Sequence, residues 1–243
     1  MPMKCPAYLL LVVATVLAVS ACSPQGGAQT PDARQQATKT QQDAAARNIA
    51  TYRQLLLIPN DEMAVSLGKD IIKRFPDSDA AREVQKTLPE IEKRYTRVSE
   101  ERRLKGLWLY QVSPMAGGTQ STATIYTSQP SGNDRVRLVL RRHTSWGQSV
   151  FLYGEKPGFV CRGNCTISLQ VDGKPARIKA FAPSTGEPAL MIRDDKGFIK
   201  MLQKAKKISM DVTLAKGEKK QTLVYEVAGF DPGEWAPLDK KKK

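Results

Sequence analysis

The hydrophobic period of this chain changes at Lys105-Gly106, and that change divides what each part can fold into. Before it, apolar residues recur every three or four positions, the spacing of one helix face; after it they alternate, the spacing of a half-buried strand. Ile49, Tyr52 and Leu56 form a first stripe that stops at Pro59-Asn60, and Ala64, Leu67 and Ile71 form a second that breaks at Phe75-Pro76. Ser78 or Asp79 is placed to cap a third helix carrying Ala81, Val84, Leu88, Ile91, Tyr95 and Val98, with Pro89 as a kink or restart point. These stripes predict a helical domain over 43–105.

Beyond Gly106, strands are predicted over 107–113, 122–128, 135–142, 149–153, 166–171, 176–182, 189–193, 208–214 and 222–229, with turn residues between them, as in Val171-Asp172-Gly173-Lys174. One helix interrupts at 196–205, with Phe198, Ile199 and Leu202 on its buried side. The expected class is α+β: a helical hairpin and neck, then an antiparallel β-sandwich or partly open barrel over 107–231 with one short helix. A basic tail, 232–243, closes on Lys240 to Lys243.

The chain begins MPMKCPAYLLLVVATVLAVSAC, a basic head followed by an apolar run. That run falls short of the ~20 residues a membrane-crossing helix needs, so 1–21 is read as a secretion signal. Val19-Ser20-Ala21-Cys22 resembles the bacterial lipobox. The resemblance implies cleavage before Cys22, its lipidation, and a membrane anchor made of acyl chains. Ser23, where an Asp would signal inner-membrane retention in that family, implies an outer-membrane, periplasm-facing location. Residues 22–42, rich in Gln, Ala, Thr, Gly and Pro, are expected to be a flexible tether.

With Cys5 removed and Cys22 acylated, Cys161 and Cys165 remain as a pair in an oxidising compartment. A zinc site usually needs four Cys or His ligands, and His143 is the chain's one histidine. A redox pair usually has a two-residue spacer at a helix start, whereas these flanks alternate like strands. A disulfide stapling a hairpin and holding its register is therefore expected, with no metal and no cofactor.

Lys and Arg number 38 against 24 Asp and Glu, a net charge of +14 that favours anionic partners: lipid phosphates or an acidic protein. Nucleic acid does not fit the inferred compartment. None of the hydrolase, zinc-protease, P-loop or dinucleotide fingerprints is present, and no catalytic residues are assigned. His143, after Arg141 and Arg142, is expected at the surface, and Asp194-Asp195 is expected to start a helix rather than to form a carboxylate dyad. Arg135, Arg137 and Arg141 fall on one side of a predicted strand. Arg177 and Lys179, on another, would join them in an anion-binding face if the two strands were neighbours, with Trp146 and Tyr153 for aromatic contact. An ordinary solvated face would account for the same residues.

The stretch DIIKRFPDSDAAREVQKTL resembles the joint of a tetratricopeptide-like repeat. One repeat is too few for a solenoid, so the resemblance implies a helical hairpin with an added helix. Trp108-Leu109-Tyr110, the arginine-bearing strand 136–142, the Cys161/Cys165 frame, Phe181-Ala182-Pro183, Phe198 and the run 223–230 together resemble the VasI/TagO-like periplasmic proteins associated with type VI secretion, and more loosely the invasion-associated locus B proteins. That resemblance implies a β-sandwich acting as a protein-interaction module. The expected function is thus a non-enzymatic envelope lipoprotein, an accessory of secretion or envelope assembly. The alternative is an immunity or inhibitor lipoprotein that neutralises a periplasm-acting toxin or lytic enzyme.

Overall fold

A computed structural model describes residues 31–161 and 163–238. The signal, Cys22 and Lys240 to Lys243 lie outside the described residues. The structure is α+β, with three helices followed by a nine-stranded antiparallel sheet and one short helix.

The first helix, α1 (Pro31–Leu57), begins inside the segment expected to be a tether. Pro31 fits a first-turn position because its fixed φ and missing N–H cost nothing there, and Asp32 complements the helix dipole. Residues 31–43 are exposed on every side, so propensity rather than packing carries this half. From Ala45 onward α1 packs against α2 (Asp61–Arg74) and α3 (Asp79–Lys105) through Ile49, Tyr52 and Leu55. Gly68 lies where side chains of α1 and α3 press against α2: a Cβ there would lie 3.0–3.1 Å from Leu88, Tyr52 and Val84. The Tyr52 hydroxyl is within hydrogen-bond distance of Thr87 Oγ1, at 2.9 Å. Arg53 donates to Glu83, and Arg94 donates to Asp61. Each guanidinium holds its carboxylate partner below the usual carboxylate range, chiefly by hydrogen bonding.

Asn60 caps α2 and Ser78 caps α3, each side chain accepting the N–H three residues on, at 3.2 and 3.0 Å. Pro89 neither ends nor restarts α3, which is one helix on both sides of it. The buried stripe, Val84 and Leu88 before Pro89 and Ile91 after it, offsets the lost backbone bond.

The strands are β1 (Trp108–Met115), β2 (Gly118–Tyr126), β3 (Arg137–His143), β4 (Gly147–Tyr153), β5 (Asn164–Val171), β6 (Lys174–Phe181), β7 (Ala189–Ile192), β8 (Lys207–Leu214) and β9 (Lys219–Glu226). They line up as β1-β2-β3-β4-β7-β6-β5-β8-β9. The sheet is rolled without closing into a barrel. Inward residues of both halves, among them Ile125, Leu138, Leu140, Leu152, Leu169, Met210 and Leu223, share one core. An isolated bridge from Gln129 to Val224 brings the chain after β2 against β9. Phe198 and Leu202 of α4 (Asp195–Leu202) pack into the same core. Tyr225 is fully buried there, and burial pushes its phenol well up, so it stays protonated.

Asp172 and Gly173 both have positive φ, 50° and 81°, as the two-residue turn between β5 and β6 requires. The Asp172 carboxylate accepts from the Lys206 and Lys207 N–H groups, fastening this hairpin to the start of β8. This turn closes the β5–β6 hairpin, and the cysteine pair does not join its two strands. Cys161 and Cys165 are at disulfide distance, but Phe159 bridges to Leu214 while Ser168 pairs with Asp211, so both arms of their loop run along β8. The bridge therefore closes a loop on one side of a strand instead of joining the two strands of a hairpin. The alternation on both flanks is real, but both serve the same neighbour.

The expected tail also contributes to the core. Trp235 is 1% exposed, its Nε1–H donates to the Ser121 carbonyl at 3.1 Å, and the Arg142 guanidinium lies 3.7 Å from its ring centre. Burial pushes the Arg142 guanidinium below its ordinary value. The sheet domain thus extends past 231 to include Trp235, whose apolar area is too large to leave in water. Trp235→Ala is expected to cost about 3–5 kcal/mol in urea unfolding; an unchanged midpoint would show that the ring is dispensable.

Candidate functional site

The outward face of β3 alternates cation, apolar residue, cation: Arg137, Val139, Arg141. Antiparallel pairing sets Tyr153 opposite Arg137, Phe151 opposite Val139 and Ser149 opposite Arg141. On the next strand, Ala189 faces Tyr153 and Met191 faces Phe151. Val139, Phe151 and Ala189, all buried, make a second small apolar cluster on the side of the sheet away from the main core, with Tyr153 and Met191 against it. This cluster is the floor of a groove of about 570 Å³. Thr185 and Glu187 form part of one wall, Trp146 lies towards one end, and Gln111 and Thr122 line the β1–β2 side.

The rings hold the arginines. The Arg137 guanidinium is 4.6 Å from the Tyr153 ring centre, and that of Arg141 lies 4.9 Å from Phe151 and 5.2 Å from Trp146. Arg141 Nε donates to Ser149 Oγ at 3.3 Å. Among the described residues neither arginine has a carboxylate within 4.0 Å, which is also true of Arg135, Arg142, Arg177 and Arg193 in the sheet domain, while the salt-bridged arginines, Arg53, Arg74, Arg82, Arg94, Arg97 and Arg103, all lie on helices; what sets Arg137 and Arg141 apart is their shared place over the rings of one groove. Burial pushes the Arg141 guanidinium below its ordinary value, and the more distant Glu187 carboxylate pulls it partly back. The guanidinium remains charged, since arginine does not deprotonate in proteins. Its terminal N–H groups are thus positioned but unpaired, ready for an incoming anion.

Trp146 is half exposed and stacks on His143 with ring centres 3.8 Å apart. His143 itself is 2% exposed, contrary to the expected surface position. Its Nδ1 accepts the Ser145 and Trp146 N–H groups at 3.1 and 3.3 Å, and Nε2 donates to the Met115 carbonyl at 2.9 Å. It is a joint between the β1–β2 and β3–β4 turns: those backbone groups would be orphaned without it. Asp194 caps α4 by accepting the Gly197 N–H, and Asp195 accepts from Gln148 at 2.7 Å, so this acidic pair has structural work.

The other basic residues are dispersed. Arg135 lies before β3, donates to the Gly132 carbonyl, and faces a separate hollow with Lys156, Lys216 and Lys219. Arg177 and Lys179 are on β6, and β4 and β7 intervene between it and β3. They oppose Ser168 and Thr166 and do not line the groove. Sequence reasoning missed Val139, Phe151, Met191 and Glu187 as site residues. A signal existed for the first three: β4 reads Val150-Phe151-Leu152-Tyr153, apolar on both faces, as do Leu138-Val139-Leu140 and β7. Glu187 sits in a loop with no periodic signal.

Among the described residues there is no cluster of three or more His, Cys, Asp or Glu able to hold a metal, and no helix long and apolar enough to cross a membrane. Gly118 supports the Trp146 end: a Cβ there would lie 2.5 Å from Thr144 Oγ1 and 2.8 Å from the His143 ring. Gly118→Ala is expected to cost about 1–3 kcal/mol of stability by overpacking this joint; an unchanged thermal midpoint would show that the two turns are not so tightly fitted. Comparison with known proteins finds no matching family model, no matching curated protein and no matching solved structure.

Proposed function

We propose that this chain is a lipid-anchored envelope protein whose sheet domain is a protein-interaction module, with the outer-face groove receiving an acidic segment of a periplasmic partner. The observation that carries this reading is the pair Arg137 and Arg141, positioned by Tyr153, Phe151 and Trp146 and, among the described residues, without a carboxylate within 4.0 Å. Desolvating a cation without pairing it opposes folding, and an incoming carboxylate offsets that penalty on binding. The net charge of +14 steers acidic partners toward the molecule. The sequence Val19-Ser20-Ala21-Cys22 supports attachment through Cys22 to the periplasmic side of the outer membrane. Accessory service in secretion or envelope assembly fits such a tethered, non-enzymatic module. Neutralisation of a toxin or lytic enzyme would use the same groove.

Photo-crosslinking in growing cells tests the reading. A photoreactive residue in place of Trp146 is expected to give one discrete protein adduct, while one in place of Lys174, at the start of β6 and outside the groove lining, gives none. Arg137→Glu combined with Arg141→Glu should abolish the adduct without changing the amount of folded protein. Adducts of equal yield from both positions, or an adduct indifferent to the double charge reversal, would contradict the groove as the interaction site. The identity of the adduct separates the two roles: an apparatus component supports the accessory function, a lytic enzyme the inhibitory one.

A further inference from the structure

The groove carries more information than its charge. Arg137, Val139 and Arg141 project from one face of a single strand at successive two-residue steps. Along a strand this separates the two arginine Cα atoms by about 13 Å, with the apolar position midway. The rows continue onto β4 as Arg137 with Tyr153, Val139 with Phe151, and Arg141 with Ser149. Between the two cations the floor is apolar, made by Val139, Phe151 and Met191.

Resting on the interaction reading above, we infer that the groove recognises an extended peptide of the pattern acidic-x-apolar-x-acidic, laid along the β3–β4 pair. An extended chain repeats its same-face side chains at the spacing of β3 itself, so residues one, three and five of such a segment meet Arg137, Val139 and Arg141 in order or in reverse. Each carboxylate takes the free terminal N–H groups of a guanidinium already immobilised over a ring, so little side-chain entropy is lost. The apolar side chain rests on the part-exposed Met191 and Tyr153, beside Val139 and Phe151, which the fold already buries. Charge complementarity selects this occupant. Glu187, beside the Arg141 end, disfavours segments that crowd further acidic residues there, and so discriminates a spaced pair of carboxylates from a polyanionic run.

The test uses the full chain in detergent and fluorescently labelled, end-blocked peptides read by anisotropy. Ser-Glu-Thr-Val-Thr-Glu-Ser is expected to bind, and Arg137→Glu or Arg141→Glu to weaken it about tenfold or more with unchanged circular dichroism. Replacing both glutamates by lysine should abolish binding to the natural chain and restore it to the double charge-reversal variant, an outcome that misfolding cannot produce. A peptide with the acidic residues two apart, or a hexaglutamate, should bind at least tenfold more weakly. Equal binding of these controls, indifference to the arginine changes, or no binding of the spaced peptide would overturn the inference. If a discrete crosslink from position 146 persists in that event, the motif is wrong and the interaction site stands; if the crosslink is absent too, both fall.

Discussion

The register of β3 against β4, with Val139 opposite Phe151, sets both arginines of the groove beside the β4 residues that contact them. The same register points Leu138, Leu140, Val150 and Leu152 into the main core on the opposite side of the sheet. A slip of one residue would turn these leucines to solvent and drive Arg137 and Arg141 inward. Desolvating two unpaired guanidinium groups in an apolar core would cost several kcal/mol each. Core and groove are therefore two readouts of one alternation, and each penalises the wrong register of the other. Because the sheet supplies the geometry, the arginines are held by rings and strand position rather than by acidic neighbours, and their hydrogen-bonding capacity is left for something else.

How much of this was legible in the sequence follows from what periodicity encodes. All nine strands and α4 answer to predicted segments, because alternation and turn chemistry are local. Alternation identifies faces; it does not identify neighbours. Whether Arg177 and Lys179 joined the β3 arginines depended on strand order, and the four-residue β7, joining β4 to β6, decides that they do not. The cysteine pair failed as a hairpin staple for the same reason: its flanks look like two strands, yet both lie along β8. Period-based reading also overlooks isolated residues. Trp235 and His143 belong to no stripe, yet one enters the core and the other joins two turns by hydrogen bonds to three backbone groups. In α1 the reverse holds, since residues 31–43 make a helix with no apolar face at all.

The helical unit has its own core and passes directly from α3 into β1 through Gly106 and Leu107. Arg103 near the end of α3 pairs with Glu100 on its own helix and with Glu226 at the end of β9, the latter at 2.7 Å. These exposed pairs are individually weak, but they link the last turn of α3 to the sheet at a point where the backbone of Leu104 meets Gly229 with no room for a side chain. In the proposed setting, acylation at Cys22 would restrict the molecule to a membrane surface, and the helices would separate that surface from the groove. Tethering raises the effective concentration of the groove for partners at the same surface, so a modest intrinsic affinity would suffice.

Recognition at the groove requires that Arg137 and Arg141 be held over aromatic rings in the free protein. Arginine Nε–Hε resonances report this directly, because a guanidinium above a ring is shifted upfield by the ring current. The account predicts that in spectra of the ligand-free chain both resonances lie upfield of solvent-exposed arginines such as Arg177, and that Phe151→Leu moves the Arg141 resonance back toward the exposed position. Resonances of Arg137 and Arg141 coincident with that of Arg177 would contradict it.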